Sequence, residues 1–182
     1  MTKAKLVAVF TGALTMLAAP AAFADEGLGS TTGGYGTAGL LIGAATQDYM
    51  TFGIGARGGY TLPNMPIYIG GTLAYHFGSD HVHTFLFGVE GGYDFVVGPV
   101  VLRPYLGLGD AIVAFSGITV PGLGTVGGES KNEFALWPGA TVMYPINQFF
   151  VGGDARVYLL PGIPSGGDVA GLGIYATGGM QF

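Results

Sequence analysis

Cysteine is absent from the 182 residues, so neither a disulfide framework nor a thiolate metal site organises this chain. Charge is scarce as well. Asp, Glu, Lys and Arg make up 9% of the sequence, against about 25% in an ordinary soluble domain. The 11 acids outnumber the 6 bases, for a formal net charge of −5, and that balance argues against nucleic acid as a partner. Long apolar runs are missing after the N-terminus: nothing there approaches the ~18 consecutive apolar residues that a spanning helix requires. Glycine, by contrast, is abundant at 36 residues, aromatic residues reach 13%, and the mean hydropathy is +0.53. A water-facing surface with so few charges would be poorly solvated.

The first 24 residues read as a secretory signal peptide. Lys3 and Lys5 give the positive start, Leu6 to Leu17 the apolar middle, and Ala22-Phe23-Ala24 a small-x-small cleavage site, so cleavage is expected near Ala24. The exported chain then has no helical anchor. Residues 25–35 form a Gly/Ser/Thr-rich lead-in expected to be flexible, and residues 36–182 form one domain.

Within that domain the pattern has period two. Strands are expected at about 36–46, 49–62, 67–78, 83–96, 100–115, 132–145, 148–160 and 168–182. In the second, Met50, Phe52, Ile54, Ala56, Gly58, Tyr60 and Leu62 share one face, and Tyr49, Thr51, Gly53, Gly55, Arg57, Gly59 and Thr61 the other. The fourth sets Phe85, Phe87, Val89, Gly91, Tyr93 and Phe95 against Thr84, Leu86, Gly88, Glu90, Gly92 and Asp94. No helical period competes with this alternation. Very short links (63–66, 97–99, 145–147) alternate with more variable ones at the opposite end, the longest running from Ser116 to Lys131. The hairpin motif Gly-Ala-Arg-Gly-Gly-Tyr60 returns as Gly-Val-Glu-Gly-Gly-Tyr93 and more loosely before Tyr144. Repeated hairpins favour a closed sheet, because an open one leaves two edges to protect.

Face chemistry decides which side is outside. The less apolar face carries Gly, Ala, Thr and Tyr with scattered charges, where a wetted exterior would carry many Lys and Glu. Small side chains suit the interior of an eight-stranded barrel, which has just enough width for side chains to fill. On the apolar face, Tyr60, Tyr93, Tyr144, Phe149 and Phe182 form an aromatic girdle beside the short turns. Phe52, Tyr75, Phe77, Phe85, Phe87 and Phe134 form a second band toward the loops. Ten steps of a strand tilted about 45° cover roughly 23 Å, close to the ~25 Å apolar band of membrane barrels. The fold class expected is all-β: an eight-stranded antiparallel up-and-down transmembrane β-barrel.

The Gly-Gly-Tyr turns, the Arg-Pro-Tyr-Leu-Gly107 stretch and the alternating last strand ending in Phe182 resemble the small eight-stranded outer-membrane barrels of the OmpA/OmpX type. That resemblance implies residence in the outer membrane of a Gram-negative bacterium, among its lipids. It also implies recognition of the C-terminal strand by the barrel-insertion machinery. No periplasmic domain is read in the chain, so tethering to peptidoglycan through one is not expected.

Arg57, Arg103 and Arg156 all fall on the small-residue face, together with Glu90, Glu133 and Asp154. Toward lipid, an arginine at mid-depth costs about 2–4 kcal/mol; inward, it can pair. These six residues are the candidate lumen charge network. Arg57, Glu90 and Arg103 are expected in one layer near the short turns, and Asp154 with Arg156 in a second above it. Such a core holds the barrel shut and suits a structural or surface-presenting role, with loop 116–131 as the contact surface. The alternative is a narrow passive channel or a carrier for small hydrophobic molecules. An enzyme acting on lipid is a further alternative, but Ser79, Asp80, His81 and His83 are mere neighbours in a loop and their spacing builds no triad. His-Glu-x-x-His, Gly-x-Ser-x-Gly and P-loop signatures are absent. No catalytic residue, metal site or cofactor is expected.

Overall fold

The computed structural model describes residue 28 and residues 33–47, 49–78, 82–115, 118–120, 124–126, 128–162 and 169–182; residues 118–120 and 124–126 are described as backbone. The signal-peptide reading and Ser79, Asp80 and His81 lie outside the described residues, as does part of loop 116–131. In chain order the strands are β1 (Tyr35–Ala45), β2 (Phe52–Thr61), β3 (Ile67–Phe77), β4 (Val82–Tyr93), β5 (Phe95–Val97) and β6 (Val100–Phe115). They continue with β7 (Ile118–Val120), β8 (Gly124–Val126), β9 (Ser130–Ile146), β10 (Phe149–Leu159) and β11 (Ala170–Gln181).

Strands β4 and β5 form one wall element in a single register, since Gly92 faces Tyr105 and Phe95 faces Leu102. The interruption has a local cause. Pro104 sits opposite the break and has no N–H to give the ladder, while the Asp94 N–H donates to the Pro66 carbonyl at 2.7 Å instead. Each wall strand then pairs antiparallel with its neighbours, in the order β4-β3-β2-β1-β11-β10-β9-β6, and a β4–β6 pairing closes the ring. The first and last strands meet from Thr37↔Gln181 to Ala45↔Gly173. Below that run, Gly36 and Phe182 exchange backbone hydrogen bonds. The result is a closed eight-stranded up-and-down barrel with no unpaired edge along its length.

The turns at one rim are tight. Val97 pairs with Val100 across Gly98-Pro99, and Ile146 with Phe149 across Asn147-Gln148. Gly98 and Asn147 take positive φ there (59° and 55°), which glycine and asparagine adopt more readily than other residues. At the opposite rim, β7 and β8 pair as a short hairpin inside the long connection, where the sequence pattern predicts loop throughout.

The period-two pattern becomes an inside and an outside. Along β10, Phe150, Asp154, Arg156 and Tyr158 are buried, whereas Val151 and Val157 are exposed. Leu40 and Ile174 expose 60% and 62% of their surface, and an apolar belt of Ile, Val and Leu continues around the wall. Soluble monomers do not leave a contiguous apolar surface of that kind uncovered. Among the described residues no helix is long and apolar enough to cross a membrane; in a barrel the strands do the crossing.

Candidate functional site

The lumen is where the polar chemistry collects. Nearest the tight turns, Arg103 and Asp94 face each other across the β5–β6 hairpin. The Arg103 fork donates Nε to Asp94 Oδ1 at 2.6 Å and Nη2 to Oδ2 at 2.8 Å. Tyr35 and Thr61 also donate hydroxyls to Oδ2, at 2.5 and 2.7 Å. The guanidinium lies 3.7 Å from the centre of the Tyr68 ring. A buried charge is tolerated when it is both paired and hydrogen-bonded, and Asp94 meets both conditions with donors from β1, β2 and β6.

Higher in the lumen a second cluster joins Arg57, Glu90, Asp154 and Arg156. Arg57 bridges the two acids, with Nε 2.7 Å from Glu90 and Nη1 2.8 Å from Asp154. Arg156 donates Nε to Asp154 at 2.7 Å and lies 4.0 Å from Glu90. Neutral donors complete the acids' shells: Tyr105 and Thr141 to Asp154, and the Trp137 indole N–H to Glu90 at 2.9 Å. Two positive and two negative groups balance, so the cluster carries no net charge into the interior.

Above this the filling changes character. His76 Nε2 meets the Tyr175 hydroxyl at 2.7 Å, and Tyr158 donates its own hydroxyl to Tyr175 at 2.9 Å. Around them Trp137, Leu86, Met50 and Leu160 are fully buried. Met50 comes from the β1–β2 connection and Leu160 from the residue after β10, so loop residues fold into the loop-side mouth. Glycines make the room. A Cβ on Gly107 or Gly88 would run into Trp137, and one on Gly53 into His76. A small cavity of about 10 Å³ lies lower, between Thr37, Arg57, Arg103, Thr141, Phe150 and Thr177. It has room for about one water molecule.

The sequence-predicted charges thus sort differently from the expected layers. Arg57, Glu90, Asp154 and Arg156 come together, but Arg103 leaves Glu90 for Asp94, and Arg57 joins the upper group. The reason is register. A two-residue turn sets Phe95 opposite Leu102, and this brings Arg103 opposite Asp94. Glu133 stands apart at the loop-side rim, 3.2 Å from the exposed Lys131. Asp94 is a network member that sequence reasoning leaves out, although its inward parity in the fourth strand is visible there. Tyr60, Tyr93, Tyr144 and Phe149 are exposed on the outer wall beside the tight turns, with Phe182 half-buried at the chain end. His83 also lies on the outer wall, stacked on Tyr75 at 5.8 Å between ring centres. Among the described residues no group of His, Asp or Glu is arranged to hold a metal ion.

No protein-family model matches the sequence, and no curated protein matches it either. Solved structures do match its fold. A major outer membrane protein from Thermus thermophilus has a TM-score of 0.64 at 13% identity, covering 82% of this chain and 99% of that one. Neisserial surface protein A (NspA) gives 0.58 at 16% identity over 83% and 98%. The N-terminal β-barrel domain of Pseudomonas aeruginosa OprF gives 0.54 at 16% over 86% and 100%. At these identities the likeness is one of fold: the chain has the architecture of small outer-membrane barrels.

Proposed function

We propose that this chain is an integral outer-membrane barrel of a Gram-negative bacterium whose lumen is closed to solutes. Its role is structural and surface-presenting, with loop 116–131 carried outward on the long β6–β9 hairpin as the contact surface. The observation that carries this reading is the inversion of the molecule: half-exposed leucine, isoleucine and valine outside, fully buried arginine, aspartate and glutamate within. Hydrocarbon is the solvent that stabilises such an arrangement, since the wall satisfies its own backbone polar groups and the charges are hidden. A closed lumen is supported by Trp137, Tyr158, His76 and Leu160, which are all fully buried on the loop side of the charge clusters. Catalysis has no support in this interior, where the carboxylates bond guanidiniums and His76 bonds Tyr175. The partners that follow are outer-membrane lipid around the apolar belt and the barrel-insertion machinery at the strand ending in Phe182. Export through the N-terminal signal, cleaved near Ala24, belongs to the same reading.

Two measurements test it. Refolded protein run unboiled on a detergent gel should migrate differently from boiled protein, because a closed barrel resists the detergent; identical migration sinks the membrane-barrel reading. In planar bilayers or swelling liposomes the same protein should pass no ions or sugars above the lipid background. Steady solute flux would favour the narrow channel instead.

A further inference from the structure

We infer that Leu28, in the segment before β1, is the stopper of the tight-turn mouth of the barrel. The inference rests on the closed-barrel reading and adds to it the residue that seals one end. At that mouth Val101, Met143 and Phe150 turn inward from β6, β9 and β10 and form an apolar cluster separate from the larger one on the loop side. Leu28 packs against this cluster. Its backbone N–H donates to Gln181 Oε1 at 2.5 Å, and the Gln181 amide nitrogen donates to the carbonyl of Asn147 in the β9–β10 turn. A residue ahead of the first strand is therefore tied to the last residue of β11 and to a neighbouring turn.

What lies behind the stopper gives it a purpose. Met143 and Phe150 also line the small cavity whose walls carry Arg57 and Arg103. With the floor uncovered, water from the tight-turn side reaches both guanidiniums, and their ion pairs lose the low dielectric that strengthens them. An apolar side chain with no polar atoms of its own is the right cover. The loop half needs no equivalent, because its own aromatic side chains fill it. Leu28 is thus a seal on the ionic clusters and not a gate on a through-pore.

The chain has no cysteine, so single introduced thiols report cleanly. Thr177→Cys lines the cavity, and Ala74→Cys is buried in the loop half. Each is combined with Leu28, Leu28→Ile, Leu28→Ala or Leu28→Asp, refolded in detergent, checked for the unboiled gel shift, and labelled with a small charged methanethiosulfonate. Thr177→Cys should label about tenfold faster with Leu28→Asp, in line with local opening of the mouth. With Leu28→Ile it should keep the parent rate, and Ala74→Cys should not change. Leu28→Ala, expected to fall between, carries the test should the aspartate chain fail to refold. Equal Thr177→Cys rates across the series, or an equal acceleration of Ala74→Cys, would overturn the seal. Loss of the gel shift in the parent chain would count instead against the barrel itself.

Discussion

The two halves of the lumen are filled by opposite means. Toward the tight turns the space is held by directional bonds: one arginine fork, one carboxylate and two hydroxyls meet at Asp94. Toward the loops it is held by shape, with Trp137 and Tyr158 packed into notches left by glycine and Leu86 and Leu160 buried in the same cluster. The charged cluster around Arg57 and Asp154 lies between and borrows from both, since its acids take donors from Tyr105 and Trp137. The lesson is that a barrel too narrow for water can be closed by either device. The ionic half should then be intolerant of lost partners, and the packed half of added volume.

The largest effect expected from that contrast is Asp94→Ala. It leaves Arg103 buried without its carboxylate, which costs about 3–5 kcal/mol for a pair of this kind. Replacing both partners by apolar residues, as in Asp94→Leu with Arg103→Met, should recover most of the loss, because the desolvation cost disappears with the charges. Denaturant unfolding of the refolded barrel reads both, and the single tryptophan supplies the signal from inside the lumen. A single Asp94→Ala loss below about 1 kcal/mol, the scale of an exposed pair, would mean that the lower cluster is wet and the contrast is false.

Next comes the packed half. Gly107→Ala places a methyl where the Trp137 indole stands, an overpacking worth about 1–3 kcal/mol. The shift should show in tryptophan emission as well as in the unfolding midpoint. Tyr35→Phe should cost about 1 kcal/mol, as it removes one donor among several to Asp94 and leaves the ion pair in place. The smallest effect belongs to Gly91→Ala. Gly91 faces outward, and a Cβ there meets nothing within 4 Å, so the change should stay within about 0.5 kcal/mol of zero. Equal penalties at Gly107 and Gly91 would show that glycine serves the wall in general and not the side chains it admits.

Much of this is legible without coordinates. The alternation in 49–62 and 83–96 correctly places Arg57 and Glu90 inside and Phe52, Tyr60 and Tyr93 outside, because side-chain direction in a strand follows from position alone. Partner choice is not legible. Glu90 and Asp94 share a face of one strand, and which of them meets Arg103 depends on a turn of two residues. Asp154 and Glu90 lie on strands far apart in the sheet, and Arg57 and Arg156 join them inside the closed cylinder. Nor can composition separate a glycine that admits Trp137 from one that merely faces outward.

The amino-acid order by itself determined the eight wall strands, their two faces and the short-turn rim, since these are local consequences of period two and of turn chemistry. Tertiary structure decided the contacts across the lumen: Arg103 on Asp94, Trp137 on Glu90, Leu28 on the cluster of Val101, Met143 and Phe150. Those contacts join residues that only register and closure bring to the same height. No local pattern encodes the offset between one strand and the strand across the ring.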